Sequence, residues 1–361
     1  MYLKSYIFET MRSLLLPFSI LYGIVVRFRN FLFDIGIFQQ RSFNSFVIGV
    51  GNLSAGGTGK SPHVIFLINQ LTSNLKVAVL SRGYGRSTKG FRWVNEDSSP
   101  IQVGDEPLQY AKLFPSLPIA VCESRVVGIE QIEKEQNCDL ILLDDSFQHR
   151  YVKPDFNIVI TDYSDLFYND HLLPVGRLRE PKSGVKRADL VIVSKAPEKI
   201  SAVEMQQISS VVKSYGVPQV VFSYLRYREY IAFFSGQEKP IDYLKNCKLL
   251  LVAGIANPKP FIEFVNTVAL SVDEFIFNDH HAFSSGDIIK ITTKYNQLLS
   301  EKLPIVVLTT RKDFMRFHTP ELKHLIQKLP LAYLDIEVFL HDNNECSLID
   351  LLHQSINQKN K

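Results

Sequence analysis

The sequence predicts an α/β fold: a doubly wound, mainly parallel sheet, with a second, smaller αβ domain after it and an apolar helix before it. Short β-branched runs such as FVIGV, LILL, IVIT and LVIV are continuously apolar, as strands buried on both faces are. Segments of helical spacing separate these runs, which is the alternation of a sheet with its crossover helices. The stretch FVIGVGNLSAGGTGKSPHVIFL, residues 46 to 67, joins a strand, a glycine-rich turn and a helix in that order.

At 361 residues the chain has room for two domains of ordinary size and a full core. The formal charge of +3, from 40 basic and 37 acidic residues, is too small to imply nucleic acid, although a slight basic excess suits an anionic lipid surface. Cys122, Cys138, Cys247 and Cys346 are scattered, with no C-x-x-C pair and no histidine cluster at ligand spacing. That pattern predicts a reducing compartment and no structural zinc.

Taken in order, the N-terminus comes first. Leu14 to Val26 are thirteen uncharged, mostly apolar residues between Arg12 and the pair Arg27 and Arg29. A bilayer crossing needs about 17 to 25. The expectation is therefore an amphipathic helix lying in a membrane interface with its arginines at headgroup level, the alternative being a helix packed on the protein's own core.

Phe46 to Val50 then form the first strand, and Val64, Ile65, Leu67 and Ile68 mark a helix beginning at Ser61. Between them Ser54, Ala55, Gly56, Gly57, Thr58, Gly59, Lys60 and Ser61 would wrap an oligophosphate: backbone N–H groups and the positive helix end converge there, Lys60 adds an ammonium, and the Ser61 hydroxyl can sit on magnesium. The strict pattern G-x-x-x-x-G-K-[ST] wants glycine where this chain has Ser54. Ala55 stands where partner-regulated ATPases carry an extra lysine. Together these features predict a P-loop NTPase-like domain.

Strands follow in LKVAVLSRGYGR, CDLILLDDSFQH, FNIVITDY and ADLVIVSKAP, with the helical segment LQYAKLF opened by GDEP. Asp144 and Asp145 end a buried strand, where a nucleotide-binding fold keeps the carboxylate that supports magnesium. In GDEP, Pro107 suits a first helical turn, so Asp105 and Glu106 either cap that helix or orient an attacking hydroxyl. Arg177 and Arg179 could clamp a phosphate or stay solvated. In SKAP, Pro197 replaces the aspartate that reads guanine in N-K-x-D, which favours ATP over GTP.

At residues 222 to 234 the rhythm changes to the aromatic alternation FSYLRYREYIAFF, an antiparallel connector. The expected division is 1–40 for the membrane-contacting helical segment, 41–222 for the nucleotide domain and 223–361 for the connector and smaller domain. In that last part KLLLVAGIANPKPFIEFV, FIFNDHHAF, PIVVLTTRKDF and LAYLDIEVFL supply a second αβ set. NDHHAF holds His280 and His281; neighbours on an extended backbone point apart, so one imidazole faces inward.

The ordered set GNLSAGGTGKSP, SRGYGR, GDEP, LLDDSFQH, LLPVGRLREP and NDHHAF resembles the tetraacyldisaccharide 4'-kinase family of lipid A biosynthesis over most of the chain. The resemblance implies ATP-dependent phosphorylation of the 4'-hydroxyl of a lipid-linked glucosamine disaccharide 1-phosphate, giving lipid IVA, at the cytoplasmic face of the bacterial inner membrane. It implies ATP and Mg2+ as cofactors, a lipid substrate and a membrane surface as partners, no nucleic acid and no obligate protein partner. Carried onto this chain, residues Ser54 to Ser61 hold the phosphates, Lys60 offsets their charge, and Ser61 with Asp144 and Asp145 supports magnesium. Asp105 then faces the acceptor hydroxyl, with a histidine of NDHHAF, His280 preferred to His281, as its partner. Serine stands at Ser54 and Ser61 where the family is expected to carry threonine, and both keep the hydroxyl. Two other readings compete: a membrane-associated P-loop ATPase switch acting on a protein, and a soluble sugar or nucleoside kinase.

Overall fold

The structure, a computed structural model, describes residues 2–279, 281–299, 303–317, 319–341 and 344–359. In chain order the first half comprises α1 (Tyr2–Asp34), β1 (Phe46–Gly51), α2 (Lys60–Leu71), β2 (Val77–Ser81), β3 (Arg92–Val94), α3 (Pro100–Val103), α4 (Asp105–Leu113), β4 (Ile119–Val121), α5 (Arg125–Glu135), β5 (Leu140–Leu143), β6 (Phe156–Asp162), β7 (Leu190–Ser194) and α6 (Ala202–Ser214). The second comprises β8 (Gln219–Phe233), β9 (Glu238–Pro240), β10 (Lys248–Ala253), α7 (Lys259–Val268), β11 (Ser271–Ile276), α8 (Ser285–Leu298), β12 (Ile305–Thr310), α9 (Arg311–Arg316), α10 (Pro320–Ile326), β13 (Leu331–Leu340) and α11 (Asn344–Lys359).

The strands join edge to edge in the order β11-β10-β12-β13-β8-β7-β6-β1-β5-β2-β4-β3, with β9 beside β8. Strands β1, β2, β5, β6 and β7 are parallel, and β1 lies between β5 and β6. Each apolar run is buried along its length in β1, β2, β5 and β7, because helices cover both faces. The phosphate loop, Asp144 and Ser194 consequently emerge at neighbouring carboxyl ends, the edge where such sheets bind ligands.

Strand β8 joins the halves. Its first residues, Gln219 to Phe222, run parallel to β7, and from Ser223 to Phe233 it runs antiparallel to β13. The expected boundary at 222 and 223 thus falls within one strand, where the pairing partner changes. Helix α11 also returns to the first half, placing Leu348, Leu352 and Ile356 in the core beneath β1 and β5. The Lys359 ammonium closes this end on the Phe43 and Ser45 carbonyls and the Asp155 carboxylate.

Helix α1 is longer than the thirteen-residue apolar run: it spans 33 residues, of which Leu14–Asp34 is long and apolar enough to cross a membrane on length and composition. Arg27 and Arg29 do not end it. Arg29 donates to the Gln148 carbonyl of the body at 2.8 Å. Ser19 bonds the Leu172 carbonyl, Tyr22 the Arg179 carbonyl and Asn30 Glu180, so one face of α1 is held on the body. The other presents Leu14, Phe18, Leu21, Val25 and Phe28 to the outside at heptad spacing.

Candidate active site

The phosphate loop is braced from below. Ser54 bridges to Leu178 in antiparallel fashion, and the Ala55 N–H donates to the Arg177 carbonyl at 2.6 Å. Gly56 and Gly59 have φ of +109° and +92°, a region that costs little only for glycine. A Cβ on Gly59 would lie 2.7 Å from the Ser194 hydroxyl, so this turn also needs the space. Asn52 donates to the Thr58 hydroxyl at 2.9 Å and fixes the loop's base.

Helix α2 begins at Lys60 with no side-chain cap; Pro62 has no N–H and the His63 N–H is taken by the Gly59 carbonyl, which leaves the Lys60 and Ser61 N–H groups at the helix start for a phosphate. His63, wholly buried, lies within 2.7 Å of the Gly59 carbonyl through Nδ1 and 2.8 Å of the Ser223 hydroxyl through Nε2. Nδ1–H must be the donor to a carbonyl, so Nε2 accepts from Ser223. Burial drives the imidazole down to about 4, keeping it neutral. Lys195, itself at φ +59°, reaches across from the end of β7 to the Gly57 carbonyl at 2.5 Å and Asp162 at 2.7 Å.

The carboxylates divide by partner. Asp144 is fully buried; it accepts from Ser81 at 3.2 Å and Tyr110 at 3.3 Å through Oδ2, while Oδ1 has no hydrogen-bond partner among the described residues. Burial, then the charges of Glu106 and Asp145, raise it to about 7. Asp145 has the opposite fate: the Lys60 ammonium at 3.6 Å and a two-pronged Arg179 at 2.9 and 3.2 Å hold it well below the ordinary carboxylate range against its burial. Arg125, buried beneath them, donates to the Asp144 and Asp145 carbonyls and holds the turn where Asp145 takes φ +46°.

Helix α4 brings two further carboxylates to this edge. Glu106 accepts from the Ser61 hydroxyl at 2.7 Å, joining the start of α4 to the start of α2. Asp105, one residue earlier, accepts from Arg316 Nε at 2.7 Å, a contact 211 residues away in sequence. These residues fit magnesium: an orphaned buried carboxylate oxygen, a serine hydroxyl and a second acid crowd one point, and this ion binds through one or two carboxylates plus substrate phosphates. Asp144 is the better placed of the Asp pair, since Asp145 is already neutralised by Lys60 and Arg179.

His280 lies outside the described residues. His281 is placed with its Nε2 3.1 Å from Asp287 and its ring stacked on Phe277 at 4.5 Å, so its imidazole serves the start of α8. Its Cβ nonetheless lies beside Gly254, 3.4 Å from where a Cβ on that glycine would sit, and the Gly254 carbonyl accepts from Arg316, the residue that holds Asp105. Arg179 is committed to Asp145 and the Asn52 carbonyl, whereas Arg177 pairs with Asp165 and brings its guanidinium to the edge of the loop at Gly56. Sequence reasoning passed over Glu106 as a partner of Ser61, and Lys195, His63 and Arg316 altogether. The lysine of SKAP carried a usable signal; Arg316 carried none.

Comparison with known proteins agrees with this geometry. A family model described as tetraacyldisaccharide-1-P 4'-kinase matches residues 11–356. The chain is 42% identical over 347 residues to a tetraacyldisaccharide 4'-kinase of Bacteroides thetaiotaomicron, covering 92% of this chain and 90% of that one. It is 37% identical to one of Porphyromonas gingivalis, covering 95% and 97%. Among solved structures, LpxK from Aquifex aeolicus, in an "apo" form crystal structure in complex with ATP, superposes with a TM-score of 0.74 at 28% identity, covering 96% of this chain and 99% of that one. A phosphate loop on a parallel sheet, an acidic edge beside it and a match over nearly the whole length lead to one conclusion: the chain belongs to the tetraacyldisaccharide 4'-kinase family and is an ATP-dependent kinase of lipid A biosynthesis.

Proposed function

We propose that Ser54 to Ser61 hold the phosphates of ATP, that Ser61 and Asp144 support Mg2+ with Glu106 beside them, and that Asp105 receives the proton of the acceptor 4'-hydroxyl. Asp145, the other acid read from the sequence for the metal, pairs with Lys60 and Arg179. One observation carries the reading: the Ser61–Glu106 hydrogen bond seats the start of α4, and hence Asp105, against the phosphate loop. An acid in that place is next to where the terminal phosphate would end.

Bound magnesium would offset the charge of the terminal phosphates. The chain's own part is positional. Lys60 and the α2 N–H groups draw the γ-phosphoryl into the loop. The 4'-oxygen forms a bond to the γ-phosphorus while the bond from that phosphorus to the bridging oxygen breaks, the hydroxyl proton goes to Asp105, and ADP leaves. His280 remains the proposed partner of that carboxylate.

The exposed face of α1 supports a membrane-held substrate, and the chain is read as working on the cytoplasmic face of the inner membrane with α1 lying along it. The division into 1–40, 41–222 and 223–361 is retained as a functional one, the site lying where the second and third parts meet. The test is Asp105→Ala with labelled ATP and detergent-dispersed disaccharide lipid. The expected result is a loss of about 10²-fold or more in kcat with ATP affinity unchanged. Near-normal turnover would remove Asp105 from the chemistry.

A further inference from the structure

We propose that Arg316 is a positioning residue for phosphoryl transfer, holding the Asp105 carboxylate in place from the second half of the molecule. The proposal rests on the reading of Asp105 as the acceptor-side carboxylate. Arg316 closes α9, which starts directly after β12, and its guanidinium is buried. It donates from Nε to Asp105 at 2.7 Å, and from one terminal nitrogen to the Gly254 carbonyl at 2.8 Å and Asp313 at 2.7 Å.

Asp313 is in turn saturated: its other oxygen accepts from the Gly254 N–H at 2.9 Å and the Thr310 hydroxyl at 2.9 Å. Arg316 is therefore held by a buried network at the ends of β10 and β12, apart from its bond to Asp105. Asp313 neutralises it there, so the bond to Asp105 is not needed to satisfy a buried charge. What that bond adds is direction. Glu106 ties the start of α4 to the phosphate loop and Asp105 ties the same turn to Arg316, so consecutive acids are held from opposite halves. With Arg316 gone, the Asp105 side chain, about a quarter exposed, would be free to turn among its rotamers, and transfer would lose its orientation.

The test is a kinetic cycle of wild type, Asp105→Ala, Arg316→Lys and the double variant, with rates expressed per titrated ATP site. Lysine keeps a cation beside Asp313 and loses the planar fork. The expected results are a fall in kcat of about tenfold or more for Arg316→Lys, KM values for ATP and lipid within about twofold, and a double variant no worse than Asp105→Ala within about twofold. Wild-type kcat in Arg316→Lys, or losses that multiply in the double variant, would overturn the proposal while leaving Asp105 as the base. Wild-type kcat in Asp105→Ala would overturn the base reading first, and this inference with it. If Arg316→Lys does not fold, Arg316→Gln with Asp313→Asn removes both buried charges together, and the same criteria apply.

Discussion

Replacing His63 with glutamine should flatten the dependence of stability on acid pH. The imidazole is wholly buried between the Gly59 carbonyl and the Ser223 hydroxyl, and burial lowers it from 6.5 to about 4. Between those two values the unfolded chain binds a proton that the native protein refuses, so native stability falls as pH drops through that window and is fully present above it. At about pH 5 the unfolded imidazole is almost wholly charged and the native one almost wholly neutral, which makes the loss about 2 kcal/mol. His149, also driven down to about 4 by burial and then by Arg125 and Arg82, adds a similar slope that the substitution leaves intact. Urea unfolding of wild type and His63→Gln at about pH 5 and about pH 7.5 measures the difference. The variant should lose about 2 kcal/mol less between the two conditions than wild type does. An equal loss in both proteins would show that His63 takes up its proton in the native state, and the neutral wedge under the phosphate loop would not exist.

Lys60→Ala should cut turnover by about 10²-fold or more in a folded protein, because Lys60 is the cation that both orients on Asp145 and faces the loop; near-normal turnover would refute the cradle. Ser54→Gly, which restores the strict loop pattern, should keep turnover within about twofold, since the Ser54 backbone is held by its bridge to Leu178; a tenfold loss would assign the hydroxyl a role of its own. Serine at Leu21, Ile24, Val25 and Phe28 should reduce co-sedimentation with anionic vesicles and raise the apparent KM for lipid without changing ATP affinity; unchanged co-sedimentation would refute the membrane face.

The strands were legible because burial on both faces leaves a continuous apolar run, as in Leu140 to Leu143. The phosphate loop was legible because Gly56 and Gly59 occupy backbone space that other residues avoid. The lipid-kinase activity became readable only when six short motifs were taken together, and family membership sets aside the protein switch and the soluble sugar kinase. The apolar stretch of α1 was read as the thirteen residues Leu14 to Val26 because Arg27 and Arg29 look like its end, although the apolar stretch runs on to Asp34 and Arg29 binds a carbonyl of the body. The alternation of residues 222 to 234 announced an antiparallel strand but not the parallel turn of pairing just before it. Arg316 was invisible for a physical reason: its contact to Asp105 joins residues 211 positions apart, and nothing local in RKDFMR marks one arginine as turned toward another part of the chain.

The return of α11 bears on how the protein is made. Leu348, Leu352 and Ile356 complete the core under the nucleotide-binding sheet, and Lys359 fastens beside the residues that open β1. The first half can therefore finish packing only once residues 348 to 356 have been made. A chain cut short after β13 would leave that core open on one side, whatever the state of its phosphate loop. Completion of the half that carries the phosphate loop is thus tied to synthesis of the half that carries Arg316.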